Sequence, residues 1–232
     1  MLPTIEIPKY FLTIPSTGDL IEYRSFLVKE EKILMIAQEA NTQSAMMAAM
    51  KDVIKACTFN NVDVYSLAMY DLEYILLQIR GKSVGETTDI GIKCDHCEEV
   101  VPINIDLSAI EVKQSEKMEN KIQLNDEIGV TLKAPTLKDA EKSSKLNKNQ
   151  SPINEAIISV VESVYDSNEV YPLSQASPTE IDSFIDSLNS QQILDIQEWV
   201  DNLPQLKHEI EFECKNGHET KKTLTGLADF FS

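Results

Sequence analysis

An α+β chain is what this sequence predicts: a β-hairpin and helices at the N-terminus, a mainly helical insert, and two further hairpins from distant parts of the chain. Three observations carry the prediction. Runs around residues 86–107 and 208–227 alternate apolar and polar residues, the mark of half-buried strands. Between and before them lie stretches with apolar residues at three- and four-residue spacing, the mark of amphipathic helices. The tips of the two alternating runs carry Cys94-Asp95-His96-Cys97 and Cys214-Lys215-Asn216-Gly217-His218, turns rich in soft, metal-binding side chains.

Residues 10–27 read as a hairpin turning at Pro15-Ser16-Thr17-Gly18-Asp19, where proline and glycine supply the bend. VKEEKILMIAQEA follows as a helix with Ile33, Leu34, Ile36 and Ala37 as its apolar stripe. Glu30 and Glu31 near its start suit the positive end of the helix dipole. A second helix is expected from Thr42 to about Cys57. Its Met46, Met47 and Met50 fit core packing better than a soft-metal stripe. A third helix is expected over 66–80, ended by Gly81.

The first knuckle hairpin covers 86–107. AIEVKQSEKMENK reads as loop or frayed helix, and 121–135 as a hairpin turning at Asn125-Asp126-Glu127. LKDAEKSSKLNKNQ reads as a short helix leading into an exposed linker. Ser151-Pro152 starts a helix expected to run to Val164, and Ser177-Pro178-Thr179-Glu180 has the form of a capping box. A last helix begins near Ser190 and stops before Pro204. The expected domains are 1–85, a ribbon of 86–107 plus 205–232, and an insert of 108–204.

Cys94, Cys97, Cys214 and His218 form a donor set suited to tetrahedral zinc, which makes the hairpin pair zinc-ribbon-like. A C-x-x-C turn lets two sulfurs reach one ion, and Cys214 with His218 is the other Cys/His cluster of the chain. His96 competes with His218 as a ligand. A ribbon would normally place cysteine where Gly217 stands, so a degenerate ribbon that has lost its metal and keeps its fold by packing is the competing reading. Four protein donors would leave no open coordination position, so the ion would be structural, with binding energy on the order of 10 kcal/mol acting as folding energy. Cys57 reads as a small buried residue.

The charge of −17 over 232 residues repels phosphate backbones and argues against general nucleic-acid binding. It suits a chain that stays soluble or meets a basic partner. The N-terminus has no signal-peptide pattern and the apolar run Tyr74–Ile79 is too short for a bilayer, which predicts a cytosolic chain. With three histidines and no H-E-x-x-H, G-x-S-x-G or G-x-x-x-x-G-K motif, no enzyme is expected.

Two blocks carry a family resemblance. YFLTIPSTGDLIEYRSFLVKEEKILMIAQEA, with its Arg24, Phe26, Leu27, Val28, Lys29, Glu30, Glu31 and Lys32, is similar to the baseplate hub assembly proteins of T-even-type tailed bacteriophages. The ending, with Phe212, Cys214, Leu224 to Leu227 and Asp229 to Phe231, resembles the same family. The resemblance implies a non-enzymatic protein that helps to build the central hub of the baseplate, as chaperone or minor structural component, with other baseplate and hub proteins as partners. It would work in the host cytoplasm during virion assembly or remain in the tail baseplate. A zinc-ribbon adaptor of viral transcription or replication machinery is the alternative. Leu227, Phe230 and Phe231 near the end of the chain are a candidate partner contact, set against docking on the chain's own core.

Overall fold

The computed structural model describes residues 5–113, 119–143 and 152–231. It is an α+β chain in two compact units, Met1–Lys113 with Gln205–Ser232 and Gln114–Pro204.

The first unit begins with the hairpin β1 (Lys9–Thr13) and β2 (Leu20–Arg24), paired antiparallel with Leu12 opposite Ile21. Gly18 takes a φ of 76°, a conformation open to glycine, and closes the turn through its amide to the Ile14 carbonyl at 2.9 Å. Helix α1 (Val28–Ala40) covers the expected span. The Glu30 carboxylate reaches back to the Leu27 amide at 2.9 Å and pairs with the buried Arg24 at 2.9 Å. Helix α2 (Gln43–Cys57) is capped by Thr42, whose hydroxyl accepts the Ala45 amide at 3.2 Å. Cys57 is fully buried, as expected of a small apolar side chain, and burial pushes its thiol up to about 11.

Helix α3 (Met69–Val84) starts and ends later than the expected 66–80. Gly81 stays helical, because a glycine stops a helix only where the backbone turns to positive φ. That happens at Gly85, with φ 145°. The fully buried Asp71 of α3 accepts the Ser16 amide at 3.0 Å and the Ser16 hydroxyl, tying the hairpin turn to the helix.

The two knuckle hairpins are β3 (Thr87–Lys93) with β4 (Val100–Asp106), and β10 (Gln205–Glu213) with β11 (Glu219–Thr225). Between them in sequence, β5 (Glu111–Lys113) adds to the edge of β10, so the segment expected as loop begins with a strand. Both hairpins send alternate residues into one core with α3: Leu77, Ile90, Ile105, Leu107, Ile110, Leu206, Ile210 and Leu224. The N-terminal elements and the ribbon therefore share a unit instead of forming the separate 1–85 and ribbon domains expected. The insert begins at 114 and not 108, because Leu107 and Ile110 are buried in that core and β5 is paired.

The second unit holds a four-stranded antiparallel sheet in the order β6 (Lys121–Gln123), β7 (Gly129–Leu132), β8 (Val161–Tyr165), β9 (Val170–Pro172). The helices are α4 (Leu137–Ser143), α5 (Pro152–Val160), α6 (Pro178–Asp186) and α7 (Ser190–Asp201). The helix expected to reach Val164 stops at Val160. The β-branched run Val160-Val161 suits the pleated sheet, and Val161–Tyr165 pairs on both sides with β7 and β9. Ser151, the expected cap, lies outside the described residues, as do the linker residues 144–150. The Ser177 capping box is present, with Glu180 reaching the Ser177 amide at 2.7 Å. Val130, Leu132, Ile157, Val160, Val161, Ile185 and Ile196 form this unit's core.

Candidate metal centre

The first knuckle folds because Cys94 closes a tight turn. Its amide donates to the Glu99 carbonyl at 2.8 Å, the Glu98 amide donates back to the Cys94 carbonyl at 3.0 Å, and Glu98 takes φ 58°. The second knuckle does the same: the Cys214 amide donates to the His218 carbonyl at 3.1 Å, and the Gly217 amide to the Cys214 carbonyl at 2.9 Å. Gly217 has φ 79°. A side chain would be strained there, which is a reason for glycine where a ribbon often has its fourth cysteine. The next residue, His218, offers the donor instead.

The turns bring the four expected residues together. One donor atom each from Cys94, Cys97, Cys214 and His218 lies within 4.8 Å of all the others, and the set could hold a metal ion. Cys94 and Cys214 are buried, while Cys97 and His218 are partly open. The Sγ atoms of Cys97 and Cys214 are 3.7 Å apart, and Cys214 Sγ is 3.4 Å from His218 Nδ1. A tetrahedron with metal–sulfur bonds of about 2.3 Å and metal–nitrogen bonds of about 2.05 Å has edges of about 3.8 and 3.6 Å. A square-planar centre with the same metal–sulfur bonds would bring adjacent sulfurs to about 3.3 Å. The Cys97–Cys214 and Cys214–His218 edges are nearer the tetrahedral values. His96, the competing ligand, is not part of the set; its ring lies beside that of His218 with centroids 5.1 Å apart.

The surroundings act on each thiol differently. The His96 amide first, then the Thr220 hydroxyl, hold Cys94 below the ordinary thiol range. The Asn216 side chain, followed by the Glu99 amide, does so for Cys97. Burial pushes Cys214 up, against the amides of His218 and Asn216. Two ion pairs join the knuckles outside the cluster, Lys222 to Asp95 at 2.8 Å and Lys215 to Glu99 at 3.7 Å. Both are exposed enough that they set register more than stability.

The outer face of β10 and β11 bears Glu209, Glu211, Glu213 and Glu219, with Lys221 pairing Glu209 at 2.9 Å and Glu211 at 3.3 Å. It forms a solvated charged face.

The tail is organised by the core. Helix α8 (Gly226–Phe231) places Phe230 among the buried residues of the first unit, fully inaccessible, and Leu227 packs against the same cluster. Phe230 thus docks on the chain's own core, and Leu227 lies half-buried against it. The side chain of Phe231 lies outside the described residues. Sequence reasoning missed Asn216, which donates to Cys97 Sγ at 3.3 Å, and Thr220, whose hydroxyl lies 3.6 Å from Cys94 Sγ. A single polar residue in a turn or strand has no pattern to mark it.

The fold and site define a class: a two-unit α+β protein with a ribbon-like pair of hairpins meeting at a Cys3His centre. Over residues 7–232 the chain matches the family described as T4 bacteriophage base plate protein. It belongs to that family and is a phage baseplate protein. No curated protein and no solved structure matches the chain. Among the described residues no helix is long and apolar enough to cross a membrane.

Proposed function

We propose that this protein works without catalytic chemistry in building the central hub of the baseplate, as assembly chaperone or minor structural component. The observation that carries the reading is the family match across residues 7–232. The absence of a nucleophile, nucleotide-binding or metalloprotease motif from the sequence supports it. So does a donor set in which all four positions around an ion come from protein, which suits a structural centre. We assign that centre to Zn2+, on its sulfur-rich donors and on the two edges at Cys214, which are nearer tetrahedral than square-planar values. The ion would hold the knuckle of β3–β4 against that of β10–β11.

The partners are other baseplate and hub proteins, met in the host cytoplasm during virion assembly. Between Lys148 and Lys207 the chain has no Lys, Arg or His at all. Exposed carboxylates such as Glu180, Asp186 and Glu198 lie on this stretch. Such a surface favours a basic protein partner and repels nucleic acid.

Mass spectrometry of purified tails and of assembly intermediates from infected cells tests the reading. The expected result is recovery of the chain with hub proteins, in intermediates or in finished tails. Recovery with polymerase subunits and none with tail proteins would replace it with the adaptor reading.

A further inference from the structure

The metal centre has a second layer, and its chemistry assigns roles that ligand spacing alone does not. Three thiolates and one neutral imidazole around a dication leave a net charge of −1, in a chain already at −17. Such a centre needs hydrogen-bond donors aimed at sulfur. The Thr220 hydroxyl is one. Thr220 is 6% exposed, and its hydroxyl partner among the described residues is Cys94 Sγ at 3.6 Å. A thiolate has no proton to give, so the hydroxyl must be the donor. Asn216 is the second: its Nδ2 lies 3.3 Å from Cys97 Sγ and 3.5 Å from the Glu99 carboxylate. Each crosses from the second knuckle to a cysteine of the first, so each orients a sulfur across the seam that the ion closes.

The same geometry chooses a nitrogen. His218 follows the Gly217 turn directly, and its carbonyl is tied to the Cys214 amide at 3.1 Å. From that base its ring has little distance to cover, and the nitrogen nearer the backbone, Nδ1, is the one 3.4 Å from Cys214 Sγ. Nε2 then keeps its proton. His96 lies against the ring of this ligand and supplies no donor of its own.

We infer that the ion is held by Cys94, Cys97, Cys214 and His218 Nδ1, that Thr220 and Asn216 are positioning residues for the Cys94 and Cys97 thiolates, and that His96 stands outside the coordination sphere. The inference rests on the zinc reading above.

The experiment uses the full chain loaded with Zn2+ and labelled with 15N at histidine. Multiple-bond 1H–15N correlations should show His218 ligated through Nδ1 with a protonated Nε2, and His96 unligated. Competition with a zinc-chelating dye should show affinity falling about 10- to 100-fold in Thr220→Val and in Asn216→Ala, with one ion still bound. Thr220→Ser should restore the affinity, which a merely structural role for Thr220 would not explain. His96→Ala should leave affinity unchanged. Ligation through Nε2, loss of the nitrogen donor in His96→Ala, or unchanged affinity in both donor variants would overturn the assignment. A wild-type chain that binds no zinc at all would instead remove the zinc reading on which it rests.

Discussion

Replacing Phe230 by Ala removes a fully inaccessible ring from a core built by four separate stretches: Leu77 of α3, Ile90 and Ile105 of the first knuckle hairpin, Leu206 and Ile210 of the second, and α8 itself. Lost burial and the cavity left behind together cost about 3–5 kcal/mol for such a change. At about 1.4 kcal/mol per decade, amide protection in the first unit should fall by roughly two to four orders of magnitude. The one tryptophan, Trp199, lies in the other unit, so its fluorescence does not report the mutated core. Native-state hydrogen exchange, read by mass spectrometry on peptides from β10 and β11, does. Leu194, 55% exposed on α7, is the control: Leu194→Ala should change stability by less than about 0.5 kcal/mol. If Phe230→Ala left exchange unchanged while hub assembly failed, Phe230 would be a partner contact and the placement of α8 in the core would be wrong.

Other substitutions test other parts. Arg24→Met removes the buried partner of the Glu30 carboxylate and leaves it the exposed Lys29 at 3.4 Å, so it should destabilise the first unit by about 3 kcal/mol, the low end for a broken buried pair, in the same exchange measurement. Asp71 is raised above the ordinary carboxylate range by burial, which outweighs the hydrogen bonds from Ser16. Its folded state therefore favours the protonated form: its contribution is full below the unfolded value, about 3.9, and is lost as pH rises through the raised one. Stability of the native chain relative to Asp71→Asn should thus decline with rising pH over that window; a difference that grows with pH would contradict the assignment. In the second unit a Cβ at Gly129 would overlap the Tyr165 ring. Because the half-exposed Tyr165 ring can swing aside, Gly129→Ala should cost about 1 kcal/mol, read as a lower urea midpoint of Trp199 fluorescence.

Much of this fold was legible because its local signals agree with its packing. The spans of α1 and α2, the Ser177 capping box and both knuckle hairpins were readable, although Ile33 and Ile36 of the stripe expected on α1 lie exposed. The failures have physical causes. Gly81 looked like a helix stop, but only Gly85 has the backbone angle that ends α3. Val161–Tyr165 continued a helical spacing, yet two neighbouring strands claim it for the sheet. β5 is three residues long and exists through its pairing with β10, a partner about ninety positions away in the chain that no local pattern announces. That pairing and the shared core also merged the expected N-terminal and ribbon domains. At the site, the C-x-x-C spacing and the Cys214 to His218 step marked the four donors that the fold brings together. Thr220 and Asn216 become visible only when the knuckles face each other.

Two turns far apart in the chain are proposed to form one metal centre. Elemental analysis of the full chain, purified without added metal or chelator, tests it most directly, with Cys97→Ser and His218→Ala beside it. One equivalent of zinc in the native protein, falling sharply in both variants, is the result predicted. Less than about half an equivalent in the native protein, or a full equivalent that survives both substitutions, would contradict it.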